Sequence, residues 1–228
     1  MKKILCFIPA RKNSKSIKNK NLIKIKNKTL IYYTLAFAKK FKNFDIFLST
    51  DSLKIKNYAK KNFNVYNKYL RPASLASDSS KIIDAIIHCV NWLKNKNIFY
   101  DTVILLQPTN PVRNINEVKK ALSIFKQKKY KSLVSLTAIR EHPFDTITLN
   151  KKKWNYLIKK PKKTSSNRQS YKKKYYFIDG NFYIANINFL KKNKSFLIKN
   201  ETRFFIQKKK WPIDIDYPDD IRVAKVFL

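Results

Sequence analysis

Ile4-Leu5-Cys6-Phe7-Ile8 followed by Pro9-Ala10-Arg11-Lys12-Asn13-Ser14-Lys15 is the stretch on which the fold turns. Five apolar residues closed by proline and polar turn-formers read as an edge-to-core β-strand emptying into a cationic loop. With Met1-Lys2-Lys3 in front, the run mimics a secretory leader, but Pro9-Ala10-Arg11-Lys12 ends it at about half the usual length. Outward from it, short apolar strands are predicted at Asp45 to Ser49, Phe63 to Tyr66, Thr102 to Leu106 and Ser132 to Thr137. Amphipathic helices are predicted at Leu30 to Lys40, Leu53 to Lys61, Ser79 to Lys94 and Ile115 to Gln127. That alternation is the pattern of βαβ units and a mainly parallel sheet, hence an α/β fold. In the helix from Ser79, Ile82, Ile83, Ile86, Ile87 and Val90 recur at helical spacing, which makes His88 and Cys89 packing residues.

The 228 residues suit one α/β domain. From about Glu141 to Gln207 the pattern changes to short strand-like pieces around the polar stretch Lys159 to Lys174. The chain then ends in a strand, Trp211 to Ile215, and a helix from about Pro218 whose first turn Asp216 or a neighbour caps. No apolar run approaches the ~20 residues of a membrane span. Cys6 and Cys89 lie apart in apolar segments without metal-ligand spacing, so two reduced core thiols and a cytoplasmic setting are expected.

The net charge of +37 raises nucleic acid as a partner. Lysine, however, is spread over nearly every helix face and loop, with no aromatic platform or helix-turn-helix pattern to organise base readout. Lys, Asn, Ile, Phe and Tyr abound while glycine occurs once, as an A/T-rich coding bias produces. Against that background only seven of the 51 basic residues are arginine: Arg11, Arg71, Arg113, Arg140, Arg168, Arg203 and Arg222. Where lysine is the default cation, arginine marks positions needing a planar, forked donor. The acids are also uneven: Asp214, Asp216, Asp219 and Asp220 put four of fourteen carboxylates into seven residues.

The loop after the first strand of a parallel sheet is where a nucleotide's phosphates lie. Arg11, Lys15 and Lys20 could surround a triphosphate there, with backbone N–H groups and the Ser14 hydroxyl between them. The segments Ile8 to Leu22, Ser49 to Ser52, Arg71 to Asp78 (RPASLASD), Leu105 to Arg113 (LLQPTNPVR), Arg168-Gln169, Asp179 to Ile184 (DGNFYI) and Ile213 to Asp216 (IDID) then occur in one order and spacing. In this the chain resembles, over essentially its full length, the acylneuraminate cytidylyltransferases, the CMP-sialic acid synthetases and their relatives acting on other nonulosonic acids.

The resemblance implies a Rossmann-like, GT-A-like nucleotidyltransferase fold of three layers with a mainly parallel sheet. It also implies a homodimer, through a dimerisation and sugar-pocket extension at about 141–207, to which Phe182, Phe189 and Phe196 could belong, or else to the core. By the same resemblance the enzyme transfers CMP from CTP to the anomeric hydroxyl of a nonulosonic acid. Arg11, Ser14, Lys15 and Lys20 fall on the triphosphate loop, and Asn21, Arg71 and a serine such as Ser80 on the nucleoside pocket. Arg71 suits cytosine because a guanidinium can donate to its O2 and N3, whereas uracil carries a donor at N3. Gln107, Arg168, Gln169, Asp179 and Tyr183 fall on the sugar pocket; Gln107-Pro108-Thr109 reads equally as a polar strand-end turn. Asp214 and Asp216 match Mg²⁺ ligands, the i, i+2 spacing setting both on one face of a strand; simple salt bridging is the other reading. Asp219 and Asp220 read as helix caps, and Asp51 as a general base, a metal contact or a cap.

Departures are expected to matter. Lys12-Asn13 and Ser16 stand where many relatives carry glycine, Lys81 and Ile82 where hydroxyls are common, and Asp179-Gly180 where sialic-acid enzymes often have Asn-Gly. Gly180, the one glycine, is expected to hold a turn that no Cβ allows. Two other readings remain open: a cytidylyltransferase for another acidic sugar such as Kdo, and a basic nucleic-acid-binding or non-catalytic homologue.

Overall fold

The computed structural model describes residues 3–65, 68–127, 130–151, 153–158, 174–208 and 212–228. In chain order the elements are β1 (Ile4–Pro9), β2 (Lys24–Ile25), β3 (Lys28–Thr29), α1 (Leu30–Ala38), β4 (Phe44–Ser49), α2 (Leu53–Phe63), α3 (Ile82–Lys94), β5 (Thr102–Leu105), α4 (Ile115–Lys126), β6 (Ser132–Ala138), β7 (Ile147–Asn150), β8 (Lys153–Tyr156), β9 (Tyr176–Asn186), α5 (Ile187–Asn193), β10 (Thr202–Ile206) and α6 (Pro218–Phe227). Alternation along β1 explains the layering. Ile4, Cys6 and Ile8 join an apolar cluster with Leu35 of α1, Ile55 of α2 and Val118 of α4. Leu5 and Phe7 join another with Ile86 of α3 and Leu190 of α5. A strand buried on both faces can be apolar throughout, and the helices on either side make three layers.

The six-stranded sheet runs β10-β6-β9-β5-β1-β4. β1 pairs in parallel with β4 and β5, and β6 with β10. β9 alone is antiparallel, between β5 and β6. The sheet is therefore mixed and mainly parallel, in a Rossmann-like arrangement, with the C-terminal ends of β1, β4 and β5 at one rim.

Two predicted strands do not form. Helix α2 continues through Phe63 and ends on Asn64 at φ 50°, a left-handed cap, so 63–65 is no strand; Tyr66 lies outside the described residues. Trp211 also lies outside them, and Pro212–Asp216 has no sheet partner. Its Ile213 and Ile215 are instead buried beside Ile17, Ile25 and Leu30, and the Ile215 N–H donates to the Thr109 carbonyl at 2.8 Å. Helix α3 starts at Ile82, three residues after the expected Ser79. Ser77, Ser79 and Ser80 hydrogen-bond one another and the Ser74 carbonyl, the local competition by which serine delays a helix.

Of 141–207, the hairpin β7–β8 stands outside the main sheet, whereas β9, α5 and β10 are built into the domain. Phe182, Phe189 and Phe196 are core residues there. Cys89 packs in the core as expected, while His88 is exposed with its Nδ1 3.1 Å from the Tyr69 hydroxyl. Among the described residues no helix is long and apolar enough to cross a membrane.

Candidate active site

The loop after β1 is held by side chains in place of glycines. Asp51 accepts the Lys12 N–H at 2.7 Å, Asn21 donates to the Arg11 carbonyl at 3.0 Å, and the Ser16 hydroxyl donates to the Asp216 carbonyl. Lys12, Asn13 and Ser16 have ordinary negative φ; the left-handed turn is made later, by Asn19 at φ 53°. The backbone path thus does not demand the glycines this chain lacks. Asp51 is a brace for this loop, and Ser52 caps α2 by accepting the Ile55 N–H at 3.3 Å.

This loop forms one wall of a cavity of about 400 Å³ whose lining includes Arg11, Ser14, Lys20, Asn21, Arg71, Ser80, Gln107, Asp214 and Asp216. Lys20 links its two ends. Only 8% exposed, it donates to the Asp216 carboxylate at 2.9 Å and to the Ile215 carbonyl at 2.8 Å. Burying Ile213 and Ile215 turns Asp214 and Asp216 outward into the cavity, so the i, i+2 logic operates on an irregular segment. Asp220 then caps α6, accepting N–H groups of Asp216 at 2.8 Å and Tyr217 at 2.7 Å. Asp219 lies 3.5 Å from Arg222 instead.

Arg71 is 5% exposed and fixed by Ser49, its Nε donating to the hydroxyl at 2.9 Å and its Nη2 to the carbonyl at 2.5 Å. Arg11 meets Asp78 at 2.5 Å, and Lys15 reaches the same carboxylate at 3.6 Å. The lining thus sets Arg11, Lys20 and Arg71 against Asp78, Asp214 and Asp216. In a chain with 51 cations and 14 acids, that parity marks the cavity as a place where acids are needed. Asp214 opens onto solvent yet is crowded by protein. This desolvation pushes its pKa up from 3.8, and a hydrogen bond from Thr109 opposes the shift.

On the sugar side the structure separates the expected residues. Gln107 lines the cavity, and Gln107–Asn110 is also a turn closed by the Asn110 N–H at 3.1 Å from the Gln107 carbonyl. Asp179 does not line it. Its carboxylate, 2% exposed, accepts from Ser135 at 2.5 Å, Thr137 at 2.6 Å and the Asn181 N–H at 3.0 Å, and from Gln207. It pins a bulge where β9 slips register against β6. Tyr183 also lies off the lining, with its ring 5.1 Å from Phe196. Burial, then the charges of Asp179 and Asp214, pushes its phenol pKa up to about 12. Gly180, at φ +70°, holds the bulge; an added Cβ would sit 3.1 Å from Asn110 Nδ2 and 3.2 Å from Gln107 Oε1. Arg168 and Gln169 lie outside the described residues.

Sequence reasoning did not single out Asp78 as a partner of Arg11 and Lys15, although it closes the quoted RPASLASD motif. It also missed the role of Arg113, which donates to the carbonyls of Gln107 at 2.6 Å and Asn181 at 2.9 Å and to the Thr34 hydroxyl at 2.9 Å. The scarcity of arginine was the available signal for it.

A mainly parallel α/β sheet with a cationic first loop and an acidic tail at one rim is the arrangement of a nucleotide-binding α/β protein. A sequence model of the family described as Cytidylyltransferase matches residues 5–216. The chain belongs to that family and is a nucleotidyltransferase. It is 33% identical over 234 residues to the post-translational flagellin modification protein B of Campylobacter coli, covering 100% of this chain and 96% of that one. It is 30% identical over 226 residues to a pseudaminic acid cytidylyltransferase of Campylobacter jejuni, covering 98% and 95%. A CMP-N,N'-diacetyllegionaminic acid synthase of Legionella pneumophila is 34% identical over 142 residues, 62% and 60% of the two chains. Among solved structures, a CMP:2-keto-3-deoxy-manno-octonic acid synthetase complexed with CTP superposes with a TM-score of 0.70 at 16% identity, covering 98% and 97%. At that identity the likeness concerns the fold.

Proposed function

We propose that this cytidylyltransferase moves CMP from CTP to the anomeric hydroxyl of a sialic-acid-like nonulosonic acid, with Mg²⁺ carried by Asp214 and Asp216. The observation that carries the reading is the contact of Lys20 with Asp216, which brings the cationic loop and the acidic tail to one cavity across nearly the whole chain. Relatives named for pseudaminic and legionaminic acids support a nine-carbon acceptor.

The donor set fits magnesium. Two hard carboxylates face the cavity, and among the described residues no group of three or more His, Cys, Asp or Glu forms a closed cage. Mg²⁺ characteristically takes one or two carboxylates and completes its shell with substrate phosphates and water. Bound there, it would supply charge neutralisation to the phosphates. Arg11, Lys15 and Lys20 hold the triphosphate and take up the charge of the departing pyrophosphate. Arg71, immobilised by Ser49, presents its remaining nitrogen to the cytosine edge, with Asn21 and Ser80 beside the nucleoside. Gln107 orients the sugar so that its anomeric oxygen bonds to the α-phosphorus. The bond from that phosphorus to the β-phosphate oxygen breaks in line, and the hydroxyl proton passes to solvent.

A homodimer belongs to the same reading. Leu149 and Trp154, 73% and 55% exposed, face each other across the β7–β8 hairpin, and apolar surface of this kind marks association sites. Incubating the protein with CTP, Mg²⁺ and a panel of pseudaminic, legionaminic, N-acetylneuraminic and Kdo acids, while following pyrophosphate, tests the activity. Release with a nine-carbon acid is expected. Release with Kdo alone, or with none, would overturn the acceptor assignment.

A further inference from the structure

Asn110 is the one side chain among the described residues that is completely buried with both amide atoms unpaired. Buried amides are almost always hydrogen-bonded, because an unpaired one has given up water for nothing. This one stands directly behind the cavity wall. Its Nδ2 lies 3.1 Å from the position a Gly180 Cβ would take; Gln107 Oε1 lies 3.2 Å and Asp214 Oδ2 3.6 Å from the same point. An amide, an amide oxygen and a carboxylate oxygen thus converge on the open face of the chain's one glycine. Gln107 and Asp214 are both cavity-lining groups, while Asn110 touches neither with a formed hydrogen bond. A Cβ at residue 180 would fill this niche.

We propose that Asn110 is a positioning residue for Asp214, its amide N–H engaging the carboxylate oxygen nearest Gly180 when a divalent cation and nucleotide occupy the cavity. The inference rests on the cation-dependent cytidylyltransferase reading above. With Oδ2 held from behind, the other carboxylate oxygen is aimed at the cation, the orienting task that partners behind a ligand perform at metal sites. No hydrogen bond links the two groups in this structure, and the engagement forms as the cavity is loaded. Asn110 never touches substrate, so its effect passes through Asp214.

The test compares wild type with Asn110→Leu, which keeps the branched shape without polar atoms, and Asn110→Ala, which spares a tight site from overpacking. Binding of Mn²⁺ in the presence of CTP is followed by electron paramagnetic resonance, binding of CTP without metal by calorimetry, and melting of the free proteins by circular dichroism. The expected result is a loss of Mn²⁺–CTP affinity of about tenfold or more in whichever variant folds. CTP alone should bind as in wild type, and the free Leu variant should melt no lower than wild type. Unchanged Mn²⁺–CTP affinity in a folded variant overturns the inference, as does equal loss of metal-free CTP binding, which would mark general damage to the site. Reduced melting of both free variants overturns it too, since the amide would then be paired in the empty fold. Failure of wild type itself to bind Mn²⁺–CTP is a different outcome: it removes the metal assignment of the proposed function, and this inference with it.

Discussion

Asp78 pairs with both Arg11 and Lys15, the two cations that the proposed function assigns to the triphosphate. An internal anion competes with an incoming one, so Asp78→Asn should tighten binding of CTP. Exposed ion pairs of this kind are worth up to ~1 kcal/mol, which sets the gain at a factor of about 2–5 by calorimetry; weaker binding would mean that Asp78 helps hold the nucleotide. Asp214 predicts a trade-off with a definite pH sign. Its folded pKa is raised above 3.8 by desolvation, so the folded state binds the proton more tightly than the unfolded chain, and ionisation costs stability as pH rises from 3.8 through the raised value. Asp214→Asn should therefore melt like wild type in acid and above it at neutral pH, while pyrophosphate release is abolished. A neutral-pH melting point below wild type would show that the carboxylate is stabilised in place. At this scale the sequence pointed to residues that the fold brings to one cavity, Arg11, Lys20, Arg71, Asp214 and Asp216: scarce arginines and clustered acids stand out against a lysine background, and Lys20 stood out only through its motif. Asp179 was not: its neighbours in sequence do not reveal that Ser135, Thr137 and Gln207 will surround it.

Elements show how a chain with one glycine turns corners. Among the described residues, five of the eight non-glycine residues at positive φ are asparagine, the residue that best tolerates that region. They include Asn64 closing α2 and Asn27 in the β2–β3 turn. Gly180 is different, since its φ of +70° coincides with neighbours at 3.1 and 3.2 Å. Gly180→Ala should cost about 1–2 kcal/mol from conformation alone, measured by urea unfolding, and should lower turnover further by displacing Gln107. A neutral substitution would show that the bulge can relax. For the hairpin, Leu149→Lys with Trp154→Lys should convert a dimer into a monomer by light scattering while leaving the sheet intact; a monomeric wild type would dispose of the dimer. Helices were readable within a few residues because their apolar period is local. The strands expected at 63–66 and 211–215 do not form over their described residues, 63–65 and 212–215, because a short apolar run does not say whether a neighbouring strand is free to pair with it.

For the whole molecule, a charge of +37 predicts binding to mixed-sequence duplex DNA that collapses as salt rises, measured by fluorescence anisotropy. Sequence-selective binding that survives high salt would restore the nucleic-acid reading. What the sequence by itself determined is what neighbouring residues enforce: an α/β alternation, a short apolar first strand, a cationic turn after it, and two acids separated by one apolar residue. It also carried the family, through motifs whose order is linear. Only the tertiary structure decided that Lys20 meets Asp216 across 196 residues, that β9 enters the sheet antiparallel, and that Asn110 lies unpaired behind Gly180. Local periodicity depends on a few adjacent side chains. Strand order and cavity walls depend on the summed packing of clusters drawn from every part of the chain, and no single segment contains that sum.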